Sequence, residues 1–360
     1  MQERAETAGV STGSVSRKRH CTRRAVEMPR RAAAIAGMVS ALAFAACKDE
    51  DTEADDARND SSAAHEAARS QLVKAARSAS STSSFAAVDW VQVAHALGKS
   101  GSMEPGDVYK VRLPRTDLKV SVGGVAIRPA LALGSWVAFK QTGTDDAMVM
   151  GDLVLTEDEV TPVLTTLAEG GISLTALHNH LQHETPHVMY LHIMGQGEPV
   201  KLAAAIHAAV ALSQTPLGTA PAAPAAPASF GFDTAQVAQA LGASGKANGG
   251  IYQVSIPRAE VVTDGGVEVA PAMGTATAIN FQPTGGGKAA ITGDFVLTAN
   301  EVNPVIRALR QNGVEVTALH SHMLDESPRL FFMHFWANDD AVRLAKALRG
   351  ALDTMNTRKP

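Results

Sequence analysis

His178 and His180 stand two residues apart in Thr175-Ala176-Leu177-His178-Asn179-His180, and His192 follows twelve residues after the second. The trio recurs at the same spacing as His320, His322 and His334. Imidazoles at i and i+2 on a strand leave the same face of it. A hairpin centred near Thr185, or near Ser327 in the second set, sets His192 opposite His178 and His334 opposite His320. Directly opposed Cβ atoms lie about 4.5–5.5 Å apart. Each trio then suits one divalent ion, with a fourth position left for water or substrate, as in a catalytic zinc site. Nitrogen donors without thiolate suit zinc, with copper, nickel or iron as alternatives. A lone histidine is more often a packing residue. Three written twice, while Asn179 becomes Ser321 and Gln182 becomes Leu324, favour metal.

Carboxylates are repeated too. Glu184 and Glu326 lie in the expected turns, each two residues before a proline, as a fourth ligand, a general base for a metal-bound water, or a plain turn residue. Asp152 and Asp294, each after a glycine, are expected in turns or as carboxylates that orient a ligating histidine. Arg115 and Arg258 follow prolines and read as solvated strand-end charges or anion contacts. His183 and His187 read as residues around the site or on the surface, and His95 and His207 as helix-face residues.

What must position these groups is one domain written twice. Ala147–Thr156 (AMVMGDLVLT) recurs 142 residues later as Ala289–Thr298 (AAITGDFVLT), the offset that also separates His178 from His320. The copies span 85–213 and 230–353, joined by a Pro/Ala linker over 214–229 that should be extended and semi-rigid. In each, a short helix (90–97; 235–241) leads into strands with Gly-rich turns. Thr156 with Glu159, and Thr298 with Glu301, form capping boxes that start a helix. The histidine strands are expected over 172–181 and 314–323, returning over 188–194 and 330–336, and a closing helix ends each copy. Strands and helices without regular βαβ alternation give the class α+β, with an antiparallel sheet and a His-bearing hairpin in each copy.

The N-terminal 47 residues read as an address. From Met28, the expected start, a basic Arg30-Arg31 precedes a small-residue apolar stretch ending at Cys47. That stretch is short for a membrane span and suits a signal peptide, and its end, Phe44-Ala45-Ala46-Cys47, resembles a bacterial lipobox, which implies Cys47 as the lipidated residue. Residues 48–84, acidic and then Ser/Ala-rich, read as a disordered tether, and 354–360 as a tail. The only cysteines, Cys21 and Cys47, exclude a disulfide framework in the repeats. A net charge of −4 and 4% aromatic residues give no reason to expect a nucleic-acid partner.

These motifs together resemble the LppY/LpqO-type family of bacterial lipoproteins. The likeness lies in Pro114-Arg115, Gly134–Phe139, Met150–Leu155, Ala176–His180 and His192-Ile193. Where that family often continues His-Ile-His-Gly-His-Gly, this chain has His192-Ile193-Met194-Gly195-Gln196-Gly197, and the second copy has His334-Phe335-Trp336. The resemblance implies export to the cell envelope and a lipid anchor, with no settled activity. The expected function is divalent-metal binding through the two trios. The alternatives are a metal-dependent hydrolase or lyase acting on a small molecule, and a non-metal interaction module. The copies are expected to pack as a pseudo-dimer.

Overall fold

The computed structural model describes residues 86–218 and 230–358. The signal-like segment with Cys47, the tether and most of the Pro/Ala linker lie outside these residues.

The first copy runs α1 (Trp90–Leu97), β1 (Ser102–Glu104), β2 (Val108–Pro114), β3 (Ser121–Val122), β4 (Val125–Ala126), α2 (Pro129–Ala132), β5 (Gly134–Gln141) and β6 (Ala147–Thr156). It continues with α3 (Glu157–Glu169), β7 (Ser173–His178), β8 (Glu184–Thr185), β9 (Val188–Gly197) and α4 (Pro199–Val210). The second copy repeats the order. It comprises α5 (Thr234–Leu241), β10 (Lys246–Asn248), β11 (Ile251–Pro257), β12 (Thr263–Asp264), β13 (Val267–Glu268), a 3₁₀ turn at Pro271–Met273, β14 (Ala276–Gly285) and β15 (Lys288–Leu297). Last come α6 (Ala299–Gln311), β16 (Glu315–His320), β17 (Glu326–Ser327), β18 (Phe331–Asp340) and α7 (Ala341–Leu352). Each copy builds a six-stranded antiparallel sheet, ordered β1-β2-β5-β6-β9-β7 and β10-β11-β14-β15-β18-β16, with a small three-stranded sheet beside it. This is the α+β class, twice.

Local signals set the helix ends. Asp89 and Asp233 cap α1 and α5 by accepting from the backbone N–H groups two and three residues on, and Gly98 and Gly242 close them in the left-handed region. The capping boxes at Thr156 and Thr298 are both formed.

The central strand β6 is buried along nearly its whole length, so both faces of the sheet are covered. Val149, Leu153 and Leu155 point to the core beneath α1, α3 and α4, with Val163, Leu167 and Ile206. The alternate residues Met148 and Met150 pack instead with Val269, Met273, Val296 and Phe332 of the second copy. Val154 and Tyr190 meet Ile251 and Ala290 in the same way. By the two-residue period, Asp152 and His192 share that second face. The sheets therefore meet through the faces their helices leave bare, and polar clips cross between them. Asn280 Nδ2 donates to the Leu131 carbonyl at 3.2 Å, Gln282 Nε2 to that of Ala126 at 2.7 Å, and Thr317 Oγ1 to that of His180 at 2.6 Å.

Arg115 and Arg258 are not solvated. Arg115 is fully buried and Arg258 is 2% exposed. Arg115 Nη1 donates to the Val154 carbonyl at 2.6 Å and to Glu159 Oε2 at 2.7 Å, while Asp117 takes Nη2 at 2.8 Å. Glu159 is the capping-box residue, so one guanidinium ties the end of β2 to β6 and to the start of α3. Arg258 repeats this with Val296, Glu301 and Glu260.

The glycines before Asp152 and Asp294 are there for close approach, not for turns. A Cβ on Gly293 would run into the Ala278 carbonyl, where backbone and not a side chain would have to yield. Gly293→Ala should therefore cost at least the ~3 kcal/mol typical of severe overpacking. Equilibrium denaturation would show this as a fall in the midpoint; a change below about 1 kcal/mol would refute the steric account.

Candidate metal centre

Both histidine strands end sooner than expected, at His178 and His320, and their registers are displaced by two residues. Tyr190 faces His178 and Ala176 faces His192; in the second copy Phe332 faces His320 and Ala318 faces His334. A bulge between Leu174 and Ala176, matched between Val316 and Ala318, goes with this shift. The expectation that His192 would oppose His178 is thus corrected. A displacement of two keeps the imidazoles on one face, and that face is the one that meets the other copy.

The consequence is one cluster instead of two. Each imidazole stacks on one from the other copy: His178 on His320 at 3.6 Å between ring centroids, His180 on His334 at 3.7 Å, and His192 on His322 at 3.8 Å. Exchanging the copies turns the second pair into the third, so the cluster follows an approximate two-fold relation. Within the first trio the centroids are farther apart, 5.0 Å for His178–His180 and 6.5 Å for His180–His192. Two aromatic rings cover the ends, Tyr190 on His180 at 3.3 Å and Phe332 on His322 at 3.5 Å.

Asp152 and Asp294 are neither in turns nor remote. They sit mid-strand, opposite His192 and His334 in register. Asp152 Oδ2 is 3.8 Å from His180 Nε2, and Asp294 Oδ2 is 3.2 Å from His322 Nε2. Four groups of three have donor atoms within 4.8 Å of one another: His178–His180–His334, His178–His192–His320, Asp152–His180–His192 and Asp294–His320–His322. The first two draw on both copies.

The backbone selects which nitrogen is offered. His334 Nδ1 lies 2.7 Å from the Gly293 carbonyl and His178 Nδ1 lies 3.2 Å from that of Asn179. A carbonyl only accepts, so Nδ1 carries the proton and Nε2 presents a lone pair. His192 has a backbone hydrogen bond to Gly151 as well, and its Nε2 is left without a partner. Burial pushes every one of the six imidazoles below its ordinary pKa, His178 to about 4, so they are neutral at pH 7. Burial also raises the Asp152 carboxyl, with Asp294 adding to it, and lifts Asp294 to about 6.

Residues 91–212 and 235–354 each match a family profile described as Domain of Unknown Function (DUF1259). The chain belongs to this family, in two tandem copies. No curated protein matches the sequence. Among solved structures, a trimeric bacterial microcompartment shell protein, PduB, shares 13% identity at a TM-score of 0.19, over 72% of this chain and 95% of that one. EtuB from Clostridium kluyveri shares 8% at 0.17, over 70% and 90%. Similarity at that level supports no inference about fold or function.

Glu184, Glu326, His183, His187 and His207 of the two DUF1259 copies belong to none of the four donor groups. Glu184 Oε1 accepts from the Val188 N–H at 3.2 Å, and Glu326 Oε1 from that of Leu330 at 2.9 Å while Oε2 pairs with Arg329. Neither belongs to a donor group. His183 sits at a positive φ in the turn, and His187 lies half-exposed beside Glu157. His207 Nδ1 meets the Leu97 carbonyl at 2.9 Å, joining the last helix of the first copy to the end of its first. Sequence reasoning missed Tyr190 and Lys110. The Lys110 ammonium lies 3.8 Å over the Trp136 ring and donates to the Ala272 carbonyl of the second copy; burial lowers its pKa to about 7.

Proposed function

We propose that this chain is an exported envelope protein of the LppY/LpqO lipoprotein type, anchored through Cys47, that binds divalent metal ions, zinc foremost, in the centre its two copies share. One observation carries the metal reading. Among the described residues, ten buried side-chain nitrogen or oxygen atoms lack a hydrogen-bond partner. Seven belong to the cluster: Asp152 Oδ1, His178 Nε2, His180 Nε2, His192 Nε2, Asp294 Oδ1, His320 Nδ1 and His334 Nε2. At ~1–3 kcal/mol each, such atoms would together consume a typical domain's net stability. Where the backbone has fixed Nδ1 as the donor, the converging atoms are acceptors. A water molecule has two hydrogens to give, whereas one cation takes three or four lone pairs at once. Neutral imidazoles with a carboxylate are the donor set zinc prefers when thiolate is absent.

Binding is favoured over hydrolysis because Glu184 and Glu326, the candidate bases, belong to none of the four donor groups and sit in β8 and β17, where Oε1 of each accepts from a backbone N–H. The export half of the proposal is supported by the basic, apolar and cysteine-terminated run from Met28 to Cys47. No helix among the described residues is long and apolar enough to cross a membrane.

Elemental analysis of protein purified without chelators tests the metal reading. Zinc, or another transition metal, should co-purify in at least equimolar amount. Protein that stays metal-free after incubation with zinc and desalting would overturn it.

A further inference from the structure

The four donor groups overlap, and the overlap dictates what the centre can hold. His178 belongs to both groups that cross the copies, His180 to one of these and to the Asp152 group, His192 to the other and to the Asp152 group. Those three groups therefore exclude one another in pairs whenever a histidine serves one ion. His178 cannot bridge two ions, because its Nδ1 is engaged by the Asn179 carbonyl, and His192, which has a backbone hydrogen bond to Gly151, has Nε2 as its unpartnered nitrogen. The Asp294–His320–His322 group shares a residue only with the all-histidine group His178–His192–His320. Two ions can therefore enter together only if one occupies the Asp294 group and the other a group containing His180.

The distances rank the two. Zinc–ligand bonds of about 2.0–2.1 Å put tetrahedral ligand atoms about 3.3–3.4 Å apart. At the Asp294 end, His322 Nε2 lies 2.9 Å from His320 Nε2 and 3.2 Å from Asp294 Oδ2. Within the Asp152 group, Asp152 Oδ2 lies 3.8 Å from His180 Nε2 and Asp152 Oδ1 lies 4.0 Å from His192 Nε2. The first set needs only slight expansion around an ion, the second a larger contraction of buried strands.

Resting on the metal reading above, we propose that the centre takes two ions unequally. The first is held by Asp294, His320 and His322; the second is held through His180, which draws on Asp152 and His192 or on His178 and His334. His178 is then dispensable for capacity, although it lies at the middle of the cluster.

Zinc content of the full chain, stripped with chelator, reloaded and desalted, tests this. Wild type should retain two zinc ions per chain. His178→Asn should also retain two, since the Asp152 and Asp294 groups survive it. Asp294→Asn should retain one, because every remaining pair of groups shares a histidine. His180→Asn should retain one, because the two surviving groups share His320. Two independent trios, one per copy, instead predict one ion for His178→Asn and two for Asp294→Asn, and that pattern would overturn the shared centre. No zinc in wild type would overturn the metal reading itself, whereas a single zinc would overturn only the two-ion inference. Should a variant fail to fold, a cobalt(II) titration of wild type decides. Two steps in ligand-field absorption, at least tenfold apart in affinity, are expected; one step ending at one equivalent would refute the inference.

Discussion

Zinc added to chelator-stripped protein is expected to raise its thermal midpoint by roughly 10 °C. A ligand that binds only the folded state stabilises it by RT ln(1 + [L]/Kd), about 4 kcal/mol at a thousandfold excess over Kd. In a folded region of this size each kcal/mol shifts the midpoint by about 2–4 °C. The gain should be large because the donors are already gathered: backbone carbonyls have oriented the imidazoles, and burial has kept them neutral. Unfolding scatters the ligands across both copies, so little affinity is left in the unfolded chain. Magnesium at the same concentration should shift the midpoint by less than about 2 °C, since it wants hard oxygen ligands and sheds water reluctantly. Differential scanning fluorimetry with the two ions side by side decides the matter. Equal shifts would mean a non-specific ionic effect, and no shift with zinc would contradict a preformed site.

Much of this architecture is legible in the sequence, for reasons that are local. The 142-residue repeat, the capping boxes at Thr156 and Thr298 and the α+β class follow from patterns a few residues long. The period of two correctly puts His178, His180 and His192 on one face. What that period does not contain is the identity of the surface packed against the face. That is why two trios were expected where one cluster of six exists. A signal was nevertheless present: AMVMGDLVLT alternates hardly at all, and a strand apolar on both sides must be covered on both sides. Asp152 is expected either in a turn or as a carboxylate that orients a histidine, and the structure puts it mid-strand. Gly151 serves to let Trp136 and Val137 come close, since a Cβ there would lie 2.9 Å from both. Lys110 and Tyr190 escaped notice because the second copy replaces them with Gln253 and Phe332, so repetition, the most useful guide elsewhere, pointed away from them.

Arg115 was misread for a related reason, and it is the residue whose loss should cost the fold most outside the centre. Arginine after proline at a strand end usually faces water. Here each arginine is followed two residues later by an acid, Asp117 or Glu260, and a capping-box glutamate arrives from a distant segment. Arg115→Met keeps most of the buried volume but takes the guanidinium from the Val154 carbonyl and Asp117 and leaves Glu159 with only the Thr156 and Gln214 N–H groups. Breaking a buried pair by removing one partner costs about 3–5 kcal/mol, and the capping box of α3 loses its anchor with it. The pH dependence gives a second readout. Burial tends to raise the Glu159 carboxyl, but Arg115 and the Gln214 and Thr156 N–H groups outweigh it and hold the pKa below the ordinary value. A group depressed in the folded state contributes stability above its unfolded pKa and loses it as pH falls through the folded one. Wild type should therefore weaken on acidification below the usual carboxylate range. In Arg115→Met the Glu159 part of that dependence should shift to higher pH, because burial is then opposed only by the Gln214 and Thr156 N–H groups. Urea denaturation of both proteins from about pH 2 to 8 would show it. A variant within about 1 kcal/mol of wild type, with an unchanged pH profile, would mean the clamp is incidental to the fold.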